Sequence, residues 1–135
     1  MAAAHDALFL ALDQLRQTWP KRGWTWDGRV ACVASAFHVD LTEDARTSVA
    51  CALRHEYTQR SIGRAPPIVQ EVVTAAGGVR PDQLIFCADP ADGLLAYGLW
   101  WPWGDEVTTT LRIGLAGIGA NRNEVRLREL FGALD

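Results

Sequence analysis

With 135 residues, 49% of them hydrophobic and 21% charged, the chain has the balance of an ordinary globular protein. A chain of this size buries about two-thirds of the surface its unfolded form exposes, so neither disulfide staples nor a metal is needed to complete a core. The formal charge of −3 combines 16 acidic with 13 basic residues. Lys21 is the lone lysine, and the arginines are scattered among acids from Arg16 to Arg128. No stripe for neutralising phosphates results, and no nucleic-acid partner is expected. Cys32, Cys51 and Cys87 are odd in number and lack paired spacing, which favours a reducing, cytoplasmic setting over a secreted disulfide framework. The apolar run Ala7–Ala11 has no charged leader, and Leu94–Trp103 is about half the length of a membrane helix, so neither export nor membrane insertion is expected.

Leu8, Leu12, Leu15 and Trp19 recur at helical spacing ahead of Pro20 and predict an amphipathic helix over residues 4–19. Trp24-Thr25-Trp26-Asp27-Gly28-Arg29-Val30 carries an Asp-Gly hairpin signal, which would set Trp26 opposite Arg29 and place Trp24 and Trp26 on one face. Val30–Phe37 continues as strand or as buried helix. Asp40 with Glu43 has the form of a helix cap, and Ala45, Val49, Leu53 and Tyr57 mark the buried stripe of a helix over 41–60. Ser61–Ala65 reads as a flexible joint. Pro66-Pro67 opens a third helix that Gly77-Gly78 ends. Gln83–Ala88, Leu94–Trp101 and Glu106–Leu115 follow as strands joined by short turns, an antiparallel meander. A final helix over 122–133, capped by Asn121 or Asn123, carries Val125, Leu127, Leu130 and Phe131. The expected fold class is α+β: one domain spanning 1–135, in which three or four antiparallel strands pack against about four helices.

Trp100-Trp101-Pro102-Trp103-Gly104 is the most informative stretch, because adjacent residues of a strand point to opposite sides of the sheet. A three-residue loop Pro102-Trp103-Gly104 would set Trp101 opposite Asp105 and Trp100 opposite Glu106. Leu95, Tyr97, Leu99 and Trp101 then line the core with Val107, Thr109, Leu111 and Ile113. The other face collects Leu94, Ala96, Gly98 and Trp100 beside Glu106, Thr108, Thr110 and Arg112, a shallow lane next to an indole. A four-residue loop inverts this, putting Trp100 inside and Trp101 outside. The surplus tryptophan is covered by a second layer of helices, by a second copy of the chain, or by a partner.

Catalytic chemistry is weakly represented. Cys51 and His55 are four residues apart on the predicted helix and share one face, a spacing that metal pairs use, but no CxxC or HxH supplies further ligands. Pairing Cys32, Cys51 or Cys87 with His38 or His55 as nucleophile and base lacks the sequence context of known cysteine enzymes. Gly114–Gly119 follows a strand as a phosphate loop would, yet Arg122 stands where a third glycine belongs. Arg122, Arg126 and Arg128 are interleaved with Glu124 and Glu129, a solvated helix face. The favoured expectation is a non-catalytic protein-binding domain, of adaptor, chaperone or immunity type by size and charge alone. Its binding surface would comprise Trp100, Trp103, Asp105, Glu106 and Arg112, with Trp24 and Trp26 beside them. A small enzyme or metal-binding protein using Cys51 and His55, and a homodimer closed by the aromatic face, are the alternatives. No cofactor is expected.

Overall fold

The computed structural model describes residues 2–134. Helix α1 (Ala2–Thr18) buries Leu8, Leu12 and Leu15 and stops ahead of Pro20. Trp19 follows it into the core, where its indole N–H donates to the buried Ser35 hydroxyl at 2.9 Å. Strands β1 (Thr25–Asp27) and β2 (Cys32–His38) pair antiparallel with Trp26 opposite Val33. The joining loop therefore takes in residues 28–31 rather than the two residues that Asp-Gly predicts. Ala31 ends it at a left-handed φ of 53°.

Helix α2 (Thr42–Ala52) is shorter than the pattern predicts. Its cap is not the Asp40 side chain; instead His38 Nδ1 accepts from the Asp40 amide at 3.1 Å and opens a short 3-10 turn over Val39–Leu41. After Ala52 the backbone leaves the helical region at Leu53, whose side chain stays buried, and His55–Tyr57 becomes strand β3. The segment proposed as a flexible joint contains another 3-10 turn, Ile62–Arg64. Helix α3 (Pro67–Ala75) starts at a proline, where a missing N–H costs nothing. Strands β4 (Leu84–Cys87), β5 (Leu94–Pro102) and β6 (Thr108–Gly117) form the expected meander, and α4 (Glu124–Phe131) ends at Gly132, whose φ of 67° lets its amide bond back to the last turn.

The fold class is α+β: the described residues form four helices and one antiparallel sheet of six strands in the order β1-β2-β6-β5-β4-β3. Two short edge strands raise the count above the predicted three or four. On one face α1, α2 and α4 cover the full core: Phe37 and Val33 of β2, Leu111 and Ile113 of β6, Trp100 of β5 and Phe86 of β4 belong to it. On the other face α3 covers a smaller core around Ile85, Cys87, Leu95 and Tyr97. Among the described residues, no helix lies over the part of that face built from the end of β2, the start of β6 and the end of β5. Among the described residues, no helix is long and apolar enough to cross a membrane.

Candidate functional site

The register of β5 and β6 decides which tryptophan meets the core. Trp101 pairs with Thr110, Trp100 with Leu111 and Leu99 with Arg112. Trp101 therefore stands five residues from its predicted partner (110 − 105), and an odd shift exchanges the two faces. The cause is the turn. The Trp103 amide bonds to the Thr108 carbonyl at 2.8 Å, leaving a four-residue loop, Gly104–Val107. Asp105 organises it by accepting from the amides of Val107 (3.0 Å) and Thr108 (2.9 Å) and from the Thr108 hydroxyl (2.7 Å). These bonds, the Thr108 hydroxyl first, hold the Asp105 carboxyl below the usual carboxylate range. Glu106 takes a left-handed conformation in this loop, with φ 62°.

Trp100 is consequently a core residue, 4% exposed, with its ring edge-on to Phe37 at 5.1 Å and to Phe86 at 5.7 Å. This corrects the assignment of Trp100 to the open face and of Trp101 to the core. Leu94, Ala96 and Gly98 go inside with Trp100, so the lane expected beside its indole is filled: Leu53 and Leu111 close over Gly98. Trp101 occupies the opposite face with its ring stacked under the Arg112 guanidinium, 4.9 Å from the ring centroid. Its own indole N–H is buried without a partner among the described residues, which costs about 1–3 kcal/mol.

The open half of the sheet is bounded by Trp103, at 52% the most exposed of the aromatic side chains on this face. It is not loose. Its Nε1 donates to the hydroxyl of the buried Thr110 at 2.7 Å, pinning the indole across β6. Beside the tryptophans run Thr108, Thr110 and Arg112, and beside those, in register, His38, Ala36 and Ala34 of β2. A lane of small residues thus exists, but on β2. Arg112 is fixed from beyond that lane, where Asp27 of β1 accepts from its Nε at 3.0 Å; the two side chains are 17% and 14% exposed. Asp27 also accepts from the backbone and guanidinium of Arg29. The Arg29 bonds first, and the Arg112 bond after them, pull the Asp27 carboxyl down to about 2 against the opposing effect of burial.

Other candidate residues lie apart from this patch. Trp24 is buried against Trp19 and Phe131 at 5.2 and 4.7 Å, and Trp26 is half-buried under the Arg128 guanidinium at 4.6 Å. Both sit on the helix-covered face, so they share a face as predicted but cannot join Trp103. Arg128, arriving from α4, and not Arg29, is the arginine that lies against Trp26. Asp105 and Glu106 remain exposed at the loop beyond Trp103. The period-two alternation of Cys32, Ala34 and Ala36 with Val33, Ser35 and Phe37 was the sequence signal for the lane. The Asp27–Arg112 bond, 85 residues apart, left none.

Cys51 stays on α2, its thiol toward the Thr47 carbonyl, while His55 belongs to β3 and bonds Asp89 at 2.7 Å, with Arg54 on the same carboxylate. The shared helix face for Cys51 and His55 does not form. Among the described residues no group of three His, Cys, Asp or Glu side chains could hold a metal ion. Cys32 and Cys87 are buried, and that burial pushes each thiol up to about 11, far from a reactive thiolate. The glycine run is explained by packing: the Tyr97 ring reaches across Gly114 toward Cys32, and a Cβ on Gly114 would stand 2.5 Å from the Tyr97 hydroxyl. On α4, Arg126 pairs with Asp6 and lies over the Phe9 ring, and Arg128 donates to the carbonyls of Ala133 and Leu134. Comparison with protein-family models, with curated proteins and with solved structures finds no match to this chain.

Proposed function

We propose that the chain is a non-catalytic protein-binding domain whose partner docks on the half of the sheet that α3 leaves open. The observation that carries this reading is Trp103: a large aromatic side chain, half exposed, yet held by a hydrogen bond to a buried threonine. An exposed indole that is already immobilised loses little further freedom on binding, which is what an interface anchor requires. The partner brings an aliphatic or proline side chain to the indole and fills the Ala34–Ala36 lane, where the absence of bulk admits close approach. Arg112 and Asp27 add polar contacts that are already held in place by their mutual hydrogen bond.

Trp103→Ala and Thr110→Val separate anchoring from folding. Trp103→Ala is expected to lower stability by about 2 kcal/mol, less than for a buried tryptophan, since half the ring is already in water. It should abolish capture of a partner from a native lysate, and a partner identified in that way should bind the purified wild-type chain stoichiometrically. Thr110→Val, which frees the indole, should weaken that binding without removing it. Capture that survives Trp103→Ala overturns the proposal. Light scattering showing two wild-type chains per particle and one for Trp103→Ala would replace the foreign partner by a second copy.

A further inference from the structure

The last rung of the ladder between β2 and β6 pairs His38 with Thr108. Alternation along β6 puts Thr108 on the side of Thr110, whose hydroxyl holds the Trp103 indole. This rung carries a carboxylate at each end. Thr108 donates its hydroxyl to Asp105 at 2.7 Å, which keeps that carboxylate on the Trp103 side of the loop. At the other end His38 Nδ1 stands 3.4 Å from an Asp40 carboxylate oxygen, but it accepts the Asp40 amide and so has no proton there to share. The Asp40 side chain is 84% exposed. A bond from the Val39 amide to the Val107 carbonyl, at 2.7 Å, holds the two segments together, and the exposed Glu106 adds a third carboxylate beside them.

Among the described residues, no lysine or arginine pairs with Asp40, Asp105 or Glu106. The far end of the same face has the opposite sign, because the one negative charge of Asp27 is shared by Arg29 and Arg112. Thr108 and Arg112 are separated by about 13 Å of strand, at about 3.3 Å per residue, which exceeds the screening length of about 8 Å in physiological salt. The face is therefore polarised along its strands, and a cation is drawn to the Trp103 end alone. We propose that the partner segment docking here is extended and carries a lysine or arginine two residues from the apolar side chain that meets the Trp103 indole, with the cationic head between Asp40 and Asp105. Two residues is the spacing at which an extended chain returns a side chain to the same side. The long aliphatic stem crosses Thr108 while its head stays in water, so little desolvation opposes the contact. This rests on the reading of the face as a protein-docking surface and adds the charge and spacing of what docks there.

The test titrates three peptides, KAPAV, QAPAV and EAPAV, acetylated and amidated so that only the first side chain differs in charge, into the whole chain labelled with nitrogen-15. The Trp103 indole N–H and the Val107 and Thr108 amides are the reporters in heteronuclear NMR spectra, which read millimolar affinities. KAPAV is expected to bind one per chain, several-fold more tightly than QAPAV, with EAPAV weakest. The double variant Asp40→Asn/Glu106→Gln, which leaves Asp105 and its loop bonds in place, should weaken KAPAV about fivefold and leave QAPAV unchanged. Salt at about 0.5 M should erase the difference between KAPAV and QAPAV. EAPAV binding as tightly as KAPAV, KAPAV affinity indifferent to the double variant, or no shift of the reporters with any of the three overturns the proposal. If in the first two cases binding is still lost in Trp103→Ala, the protein-docking reading stands without the charge preference. KAPAV bound as tightly by Trp103→Ala as by wild type overturns both.

Discussion

Replacing Asp27 by asparagine tests the electrostatic frame of the open face. The carboxylate accepts four hydrogen bonds, three from Arg29 and one from Arg112, and its side chain is 14% exposed. Its folded pKa, pulled from 3.8 to about 2, sets the magnitude. Nearly two units at about 1.4 kcal/mol each give an upper figure of about 2.5 kcal/mol, and solvent screening brings the expectation to about 1–2 kcal/mol. Because the folded pKa is depressed, this stabilisation is fully present above the unfolded pKa and is lost as pH falls through about 2. At an unfolding entropy of about 2.1 cal/mol/K per residue, the loss in the Asp27→Asn variant lowers the melting temperature by about 4–7 °C at pH 7. Urea unfolding followed by tryptophan fluorescence, for wild type and variant at pH 7 and pH 2.5, is the assay. The other carboxylates titrate in both proteins and cancel in the difference. The gap should shrink by more than half at the lower pH. A gap that is unchanged between the two pH values, or one below about 0.5 kcal/mol at pH 7, refutes the reasoning.

Two more outcomes follow from burial. Trp100→Ala empties a site bounded by Phe37 and Phe86 and should cost about 3–5 kcal/mol in equilibrium unfolding, in contrast to Trp103→Ala; a cost under about 1 kcal/mol would return Trp100 to the surface. Iodoacetamide at pH 7 should add once to the folded chain, at the exposed Cys51, and at all three cysteines after unfolding, as mass spectrometry can count. A second adduct on the folded chain contradicts the burial that raises the Cys32 and Cys87 thiols.

The elements that the sequence announces most clearly are those long enough to repeat their period. Leu8, Leu12, Leu15 and Trp19 mark α1 and its exit over about three turns, and β5 and β6 are apolar or alternating runs of nine and ten residues. The three-residue edge strands offer no such repetition. Leu53 and Tyr57 fit a continuing helix by spacing, yet Leu53 reaches the core from outside the helix and Tyr57 does so from β3. At the aromatic hairpin the local signal was real but outweighed. Proline and glycine suit a tight loop, while three hydrogen bonds to Asp105 and the Phe37–Trp100–Phe86 contacts favour the longer one. The open face is defined by where α3 lies and by Asp27 meeting Arg112, both consequences of tertiary placement and neither of a motif.

The strand order also says something about how the chain is made. Both edges of the sheet, β1 with β2 at one side and β3 at the other, come from the first 57 residues, and the three strands between them come last. During synthesis the borders exist before the middle. Until β4, β5 and β6 emerge, the apolar sides of α1 and α2 have no sheet to cover beyond one short hairpin, and β3 has no neighbour at all. A nascent chain of this topology keeps sticky surface on display until β6 has emerged, so its exposure to aggregation and to chaperones lasts until the central strands are made.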